Sequence, residues 1–223
     1  MSASDVVVIT GANRGIGLEL ARHYAGEGSQ VIGVCRQSSD ELADVAADVI
    51  DDIDVATDAG IEKLKSGLAG KQISLLINNA GLMQNEVLGE IDFDSIRTQM
   101  EINAYAPLRV AEALIPQIVE GGKIANVTSR MGSIADNDSG GKYGYRASKA
   151  ALNAFGKSLA VDLKPNGIAV AQLHPGYVQT RMVNFGGLIS PEEAAKGLAG
   201  RIANLNMENS GSFWHSNGEE LPW

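Results

Sequence analysis

Val6-Val7-Val8-Ile9-Thr10-Gly11-Ala12-Asn13-Arg14-Gly15-Ile16-Gly17 sets an apolar, β-branched run directly against a glycine-rich turn, and Leu18, Leu20, Ala21 and Tyr24 then begin a helical pattern. A strand, a tight turn and a helix follow in that order. Glycine lets the backbone bend sharply and come close to a bound pyrophosphate, while the amides and dipole of a helix N-terminus favour its negative charge. The spacing Gly-x-x-x-Gly-x-Gly differs from the Gly-x-Gly-x-x-Gly of the common dinucleotide fingerprint. A glycine loop alone is often only a turn; its place between an N-terminal strand and a helix favours cofactor binding.

Outward from this unit, apolar strands alternate with helix-length segments, and no internal repeat or low-complexity linker interrupts them. Strands are predicted at Val6–Thr10, Gln30–Cys35, Val49–Val55, Ile73–Ile77, Lys123–Thr128, Ile168–Leu173 and Gly211–His215, and helices at Gly15–Gly26, Ser39–Ala46, Ala56–Leu68, Phe93–Ile118, Tyr145–Leu163 and Pro191–Leu205. Such alternation predicts an α/β fold, a doubly wound parallel sheet of the Rossmann type with about seven strands and helices on both faces. Ligands of such sheets gather at the carboxyl ends of the strands, where Gly11, Arg36, Asn78, Ser129 and His174 fall.

The chain of 223 residues is long enough to bury one α/β core without disulfides or metals, and residues 1–223 are expected to form a single domain. Its one cysteine, Cys35, closes the apolar run Val31–Val34 and permits no disulfide within the chain, which suits a reducing cytoplasm. No apolar stretch approaches a membrane span, and Met1–Asp5 lacks the basic start of a signal peptide. With a net charge of -9 and no dense Lys/Arg run, neither a nucleic acid nor a membrane is expected as partner. His174 and His215 have no metal-ligand company in the sequence, so no metal is assigned.

Further along, Tyr145-Arg146-Ala147-Ser148-Lys149 places a phenol and an ammonium four residues apart on one helix face, the combination of a proton donor beside a fixed charge. Taken alone, the pair is also what a partly buried ring with a solvated amine looks like. With the upstream motifs, the chain resembles the short-chain dehydrogenase/reductase family along essentially its whole length. Thr10–Gly17 is similar to the family's cofactor loop, Asn78-Asn79-Ala80-Gly81 to its Asn-Asn-Ala-Gly motif, and Asn103 in Ile102-Asn103-Ala104 to the asparagine of its catalytic tetrad. Ser129 stands where the tetrad serine belongs, and Pro175-Gly176 with Val178 and Thr180 matches the segment that closes over the nicotinamide.

The resemblance implies hydride transfer between a nicotinamide cofactor and a carbonyl carbon, with Tyr145 exchanging the proton on oxygen. It implies that Lys149 lowers the phenol's pKa and holds the nicotinamide ribose, that Ser129 hydrogen-bonds the substrate oxygen, and that Asn103 holds a water linking Lys149 to solvent. Each also has a plainer reading, Ser129 as a strand-end hydroxyl and Asn103 as a helix kink or turn residue. Cofactor contacts are implied for Gly11, Asn13, Arg14, Gly15, Ile16, Gly17, Arg36, Asp54, Val55, Asn79, Ala80, Gly81, Tyr145, Lys149, Pro175, Gly176, Val178 and Thr180.

At the end of the second strand an acidic residue would accept from the ribose 2′-hydroxyl of NAD; this chain has Arg36. Arg14 and Arg36 either clamp the extra phosphate of NADP with charge-assisted bonds or are two solvated surface arginines. NADP(H) is therefore the preferred cofactor, with NAD(H) as the alternative.

The interval Ser129–Tyr145 holds a polar, glycine-rich run, Asp136-Asn137-Asp138-Ser139-Gly140-Gly141, read as a loop beside the substrate entrance. That interval, Tyr143-Gly144-Tyr145 and the ending Gly218–Trp223 resemble the C-factor and Sniffer carbonyl-reductase branch. Met83, Met131, Tyr143, Tyr177, Met182 and Phe185 are candidate pocket walls, and Arg181–Ser190 is a short lid. The expectation is an NADPH-dependent reductase of aldehyde or ketone carbonyls, cytoplasmic and homo-oligomeric as dimer or tetramer. The alternative is a nucleotide-binding signalling module of C-factor type; sugar-nucleotide chemistry lacks the added substrate domain it needs.

Overall fold

The computed structural model describes residues 5–223, so the reading of the first residues of Met1–Asp5 lies outside the described part. Its centre is a seven-stranded sheet built from β1 (Val6–Thr10), β2 (Gln30–Val34), β3 (Asp48–Ile50), β4 (Ile73–Asn78), β5 (Ile118–Val127), β6 (Ala169–His174) and β7 (Ser212–His215). The order is β3-β2-β1-β4-β5-β6-β7, and every neighbouring pair runs parallel. Parallel pairing requires crossovers that cover both faces, which is why β1 is apolar from Val6 to Ile9 and wholly buried through Thr10.

Alternation along β1 divides the core. Val7 and Ile9 face a layer with Leu18, Leu20 and Ala21 of α1 (Gly15–Gly26) and Ala195, Leu198 and Ile202 of α7 (Pro191–Asn204). Val6 and Val8 face the opposite layer, with Leu64 of α3 (Asp58–Gly67), Val110 and Leu114 of α5 (Ala106–Leu114) and Ala160 of α6 (Tyr143–Asp162). Two short helices, α2 (Asp40–Ala43) and α4 (Phe93–Met100), complete the set. Leu75 and Ile77 on β4 are fully buried, so truncating either to alanine costs about 2–5 kcal/mol.

The predicted helix Phe93–Ile118 is broken. A π-helical turn, Glu101–Tyr105, separates α4 from α5, and a 3-10 turn, Ile115–Gln117, then leads into β5, which starts at Ile118 and not at Lys123. Proline causes both interruptions. Pro107 has no N–H to give the Asn103 carbonyl four residues before it, and Pro116 does the same at the end of α5. β3 is also shorter than the predicted Val49–Val55: Asp52 takes a left-handed φ of 52°, and Ile53 turns back to donate to the Cys35 carbonyl over 3.0 Å. Other boundaries differ by one to two residues at most ends, except that α2 is trimmed to one turn. No helix among the described residues is long and apolar enough to cross a membrane.

Candidate active site

The strand order reverses between β1 and β4, and there the glycine loop meets the segment after β4. Thr10 Oγ1 accepts from the amides of Asn79 and Ala80, each over 3.1 Å, and Asn79 Nδ2 donates to the carbonyls of Thr10 and Gly11, each over 3.1 Å. Gly11 has φ 65°, and a Cβ there would lie 2.9 Å from the Ala80 Cα; a Cβ on Gly17 would run into the Gly11 carbonyl. These glycines are demanded by close approach as well as by the turn. Ser39, Thr57, Asp92 and Ser190 cap α2, α3, α4 and α7 with their side chains. Helix α1 has Arg14 at its N-cap with no side-chain cap and no acidic residue in its first turn, so its first amides face outward. A dinucleotide pyrophosphate fits this cradle.

Asn13 ties the loop to the end of β2: its Nδ2 donates to the Gln37 carbonyl over 2.8 Å, and the Ser39 hydroxyl donates to the Asn13 carbonyl over 3.0 Å. Arg14 and Arg36 are the residues flanking this tie, and both are exposed. Arg36 also borders a hollow of about 350 Å³ with Asp54, Gly60 and Lys63. Lys63 pairs with Asp52 over 3.0 Å, and Asp54 Oδ1 accepts from the Ala56 amide over 3.0 Å. Val55 is half-buried beside them.

Across the sheet, a cavity of about 780 Å³ opens at the ends of β5 and β6, with Ile16, Ser129, Tyr145, Pro175, Gly176, Val178 and Thr180 in its wall. Gly176 has φ 96°, and Thr180 packs close to Gly15, where an added Cβ would sit 3.6 Å from Thr180 Cγ2. The segment after β6 thus lies against the glycine loop.

Tyr145 and Lys149 are both buried on α6. The phenol is hydrogen-bonded with the Ser129 hydroxyl, which also accepts from the Met131 amide over 3.1 Å. Lys149 Nζ donates to the Val127 carbonyl over 2.9 Å and stands 5.9 Å from the Tyr145 ring centroid. Burial lowers the lysine pKa to about 8 and raises that of the phenol, an increase the Ser129 bond opposes. Desolvation outweighs the Ser129 bond, so the phenol's shift in the protein alone is upward and Tyr145 rests protonated.

Asn103 sits in the π-helical turn, fully buried, with its amide engaged by protein. Its Oδ1 accepts from the Leu82 amide over 2.8 Å, and its Nδ2 donates to the Leu82 carbonyl over 2.8 Å and to Ser148 Oγ over 3.0 Å. The side chain therefore holds the loop after Gly81 to α6 and does not itself bond Lys149. Gly81 lies between them: a Cβ there would be 3.1 Å from Asn103 Oδ1 and 3.7 Å from Lys149 Nζ.

Met83, Met131, Tyr177 and Met182 line the cavity. Tyr143 and Phe185 are exposed and stand outside its lining, Tyr143 because it opens α6 on the solvent side of Gly144. The polar loop after Ser129 contributes Asp136, Asp138 and Ser139 to the wall, as the sequence suggested for a loop beside the entrance. His174 also lines the cavity; burial, the neighbouring His215 and Arg130 lower its pKa to about 3.

Sequence reading missed Glu86. It is buried, accepts from Ser95 Oγ over 2.6 Å and from Gln99 Nε2, and takes the Gly144 amide at the start of α6 over 3.0 Å. A carboxylate in an unpatterned loop gives no signal of this; the glycine between Tyr143 and Tyr145 was the trace, because a Cβ there would collide with Gln99. Arg130 was also missed: it pairs with Asp136 and, over 2.8 Å, with Glu219, joining the Ser129 loop to the chain after β7.

A model of the short chain dehydrogenase family matches residues 5–186. The 1-hydroxy-2-glutathionyl-2-methyl-3-butene dehydrogenase of Rhodococcus sp. (strain AD45) is 41% identical, over 98% of this chain and 100% of its own. The C-signal of Myxococcus xanthus is 42% identical over 68% of this chain and 93% of its own. Among solved structures, the carbonyl reductase Sniffer of D. melanogaster superposes with a TM-score of 0.89 at 27% identity, covering 99% of each chain. An NADPH-bound carbonyl reductase from chicken fatty liver does so with a TM-score of 0.86 at 28% identity, covering 98% of each chain. The chain belongs to the short-chain dehydrogenase family of oxidoreductases, and its fold is that of the family.

Proposed function

We propose that this short-chain dehydrogenase reduces aldehyde or ketone carbonyls to alcohols with NADPH, Tyr145 giving the proton to the carbonyl oxygen. The observation that carries the reading is the buried Tyr145 phenol, protonated by its surroundings, bonded with Ser129 and facing a cavity that begins at the glycine loop. NADPH, when bound, supplies the hydride. Gly11–Gly17 and the open end of α1 hold its pyrophosphate, Arg14 and Arg36 its 2′-phosphate, and Asp54 and Val55 border its adenine. Asn79, Ala80, Gly81, Pro175, Gly176, Val178 and Thr180 line the path toward the nicotinamide end.

Ser129 orients the substrate oxygen against the Tyr145 hydroxyl and stabilises charge developing on it. Lys149 uses one of its three donors on Val127 and turns the others to the cofactor ribose and the phenol side of the site. Asn103 and Glu86 are positioning residues, the first fixing Leu82 and Ser148, the second fixing the start of α6. The NADPH-bound carbonyl reductase of similar fold supports the cofactor and the reaction class. Residues 1–223 act in this reading as one domain that assembles into a homo-oligomer.

Similarity to C-signal supports a second reading, a nucleotide-binding signalling module with little turnover. NADPH consumption with α-diketones, quinones and aromatic aldehydes tests the choice. Consumption matched by alcohol formation supports the reductase. Tight NADPH binding with no consumption across such a panel supports the module.

A further inference from the structure

The cavity wall carries cations that the proton-transfer chemistry does not use. Arg130 is neutralised by Asp136 and Glu219. Lys142 and Arg146 also line the cavity, and neither forms an ion pair with any described residue. Arg146 is held in place by neutral groups, donating to Ser139 Oγ over 2.8 Å and to the Gly140 carbonyl over 3.3 Å. Lys142 makes no side-chain hydrogen bond among the described residues. Its backbone is the opposite of loose: Gly140, Gly141 and Lys142 take successive left-handed φ values of 63°, 63° and 49°. The Lys142 amide donates to the Glu86 carbonyl over 3.2 Å, and its carbonyl accepts from the Arg146 amide over 2.9 Å. A lysine at positive φ is uncommon, and here it immediately follows two glycines that accept the same conformation freely. The strained backbone is held by buried Glu86, while the ammonium it carries is left without a partner at the cavity.

We propose that Lys142, with Arg146 one helical turn further on, recognises a carboxylate carried by the substrate at a distance from its reacting carbonyl. The inference rests on the carbonyl-reductase reading and names the substrate class of that site. Lys142 and Tyr145 are three residues apart, roughly 4.5 Å along the helix axis at 1.5 Å per residue, so one substrate a few bonds long reaches both groups. A cavity of about 780 Å³ has room for such a tail beside the reacting carbon. Asp136 is engaged by Arg130, which leaves Asp138 as the lining carboxylate without an ion pair, outnumbered by the two cations. Lys142 is thus a specificity-determining residue and not a catalytic one.

The test compares kcat/KM for 4-carboxybenzaldehyde and 4-nitrobenzaldehyde, which share a shape and differ in charge, with NADPH at saturation. The carboxylate-to-nitro ratio falls about tenfold in Lys142→Asn, the size of one partly exposed charge-assisted bond, and is retained in Lys142→Arg. Asparagine tolerates the left-handed backbone, so the comparison is not one of misfolding. Asp138→Asn moves the ratio the other way. Reduction of the nitro compound with a ratio indifferent to Lys142→Asn overturns this inference and leaves the reductase reading intact; no NADPH consumption with either aldehyde, nor with α-diketones or quinones, overturns both.

Discussion

The Lys149 ammonium is anchored 2.9 Å from the Val127 carbonyl and stands 5.9 Å from the centroid of the Tyr145 ring. Burial acts on the two groups in opposite directions, disfavouring the charge on each: it keeps the phenol protonated and makes the lysine easier to deprotonate. A neutral phenol is the form that reduction needs, and below pH 8 the ammonium fixed beside it limits the charge left when the proton has gone.

That pairing has a consequence for stability. Lys149 has a pKa of about 8 in the folded protein against an ordinary value of 10.5, so between these values the unfolded chain binds more protons. Stability contributed by this site therefore rises as pH climbs from 8 toward 10.5, and the penalty is complete below pH 8. In cofactor-free protein, the unfolding free energy of the unmodified chain minus that of Lys149→Met should increase between pH 8 and 10. Carrying Tyr145→Phe in both proteins removes the phenol's own titration from the difference. Denaturant titrations across the window giving a constant difference would rule out a depressed Lys149.

Gly17 tests the cofactor cradle. A Cβ there meets the Gly11 carbonyl and lies 2.5 Å from Asn79 Nδ2, so the Gly11 backbone and the Asn79 side chain that bonds it must both move. Gly17→Ala should weaken NADPH binding at least tenfold and lower the midpoint of thermal unfolding. By contrast, Gly200→Ala has open space around its Cβ and should leave both nearly unchanged. Equal NADPH dissociation constants for the Gly17 variant and the unmodified protein would remove the loop from the cofactor site.

Arg36 tests cofactor choice. The side chain is exposed beside the tie between Asn13 and Gln37, and no acidic residue occupies its position to favour NAD. Arg36→Asp should weaken NADPH by about tenfold or more at moderate salt, while NADH binding holds or improves, because attraction for the 2′-phosphate becomes repulsion. Dissociation constants for both cofactors decide it; NADPH binding indifferent to the change would dismiss the phosphate clamp.

The strand, glycine turn and helix at Val6–Gly26 were legible because local periodicity and glycine spacing there agree with the tertiary packing. The break at Asn103 was only half legible: a helix kink or turn is its plainer reading and Pro107 and Pro116 are breakers visible in the sequence, yet the apolar pattern from Phe93 to Ile118 runs on across them and predicts one unbroken helix. Tyr145, Lys149 and Ser129 could be named from their motifs, yet the direction of the phenol's shift could not, since it depends on burial that only packing creates. Glu86 lay beyond reach for the same reason. Its partners Ser95, Gln99 and Gly144 come from two separate helices, and nothing in its local sequence brings them together.

Tyr145→Phe is the most direct test of the proposed chemistry, because it keeps the ring that packs in the site and removes only the proton that reduction requires. NADPH consumption with an α-diketone or aromatic aldehyde should fall by about 10²–10⁴-fold, the usual contribution of general acid catalysis, while NADPH binds as before. Turnover by a folded Tyr145→Phe protein close to that of the unmodified chain would contradict the assignment of Tyr145 as proton donor.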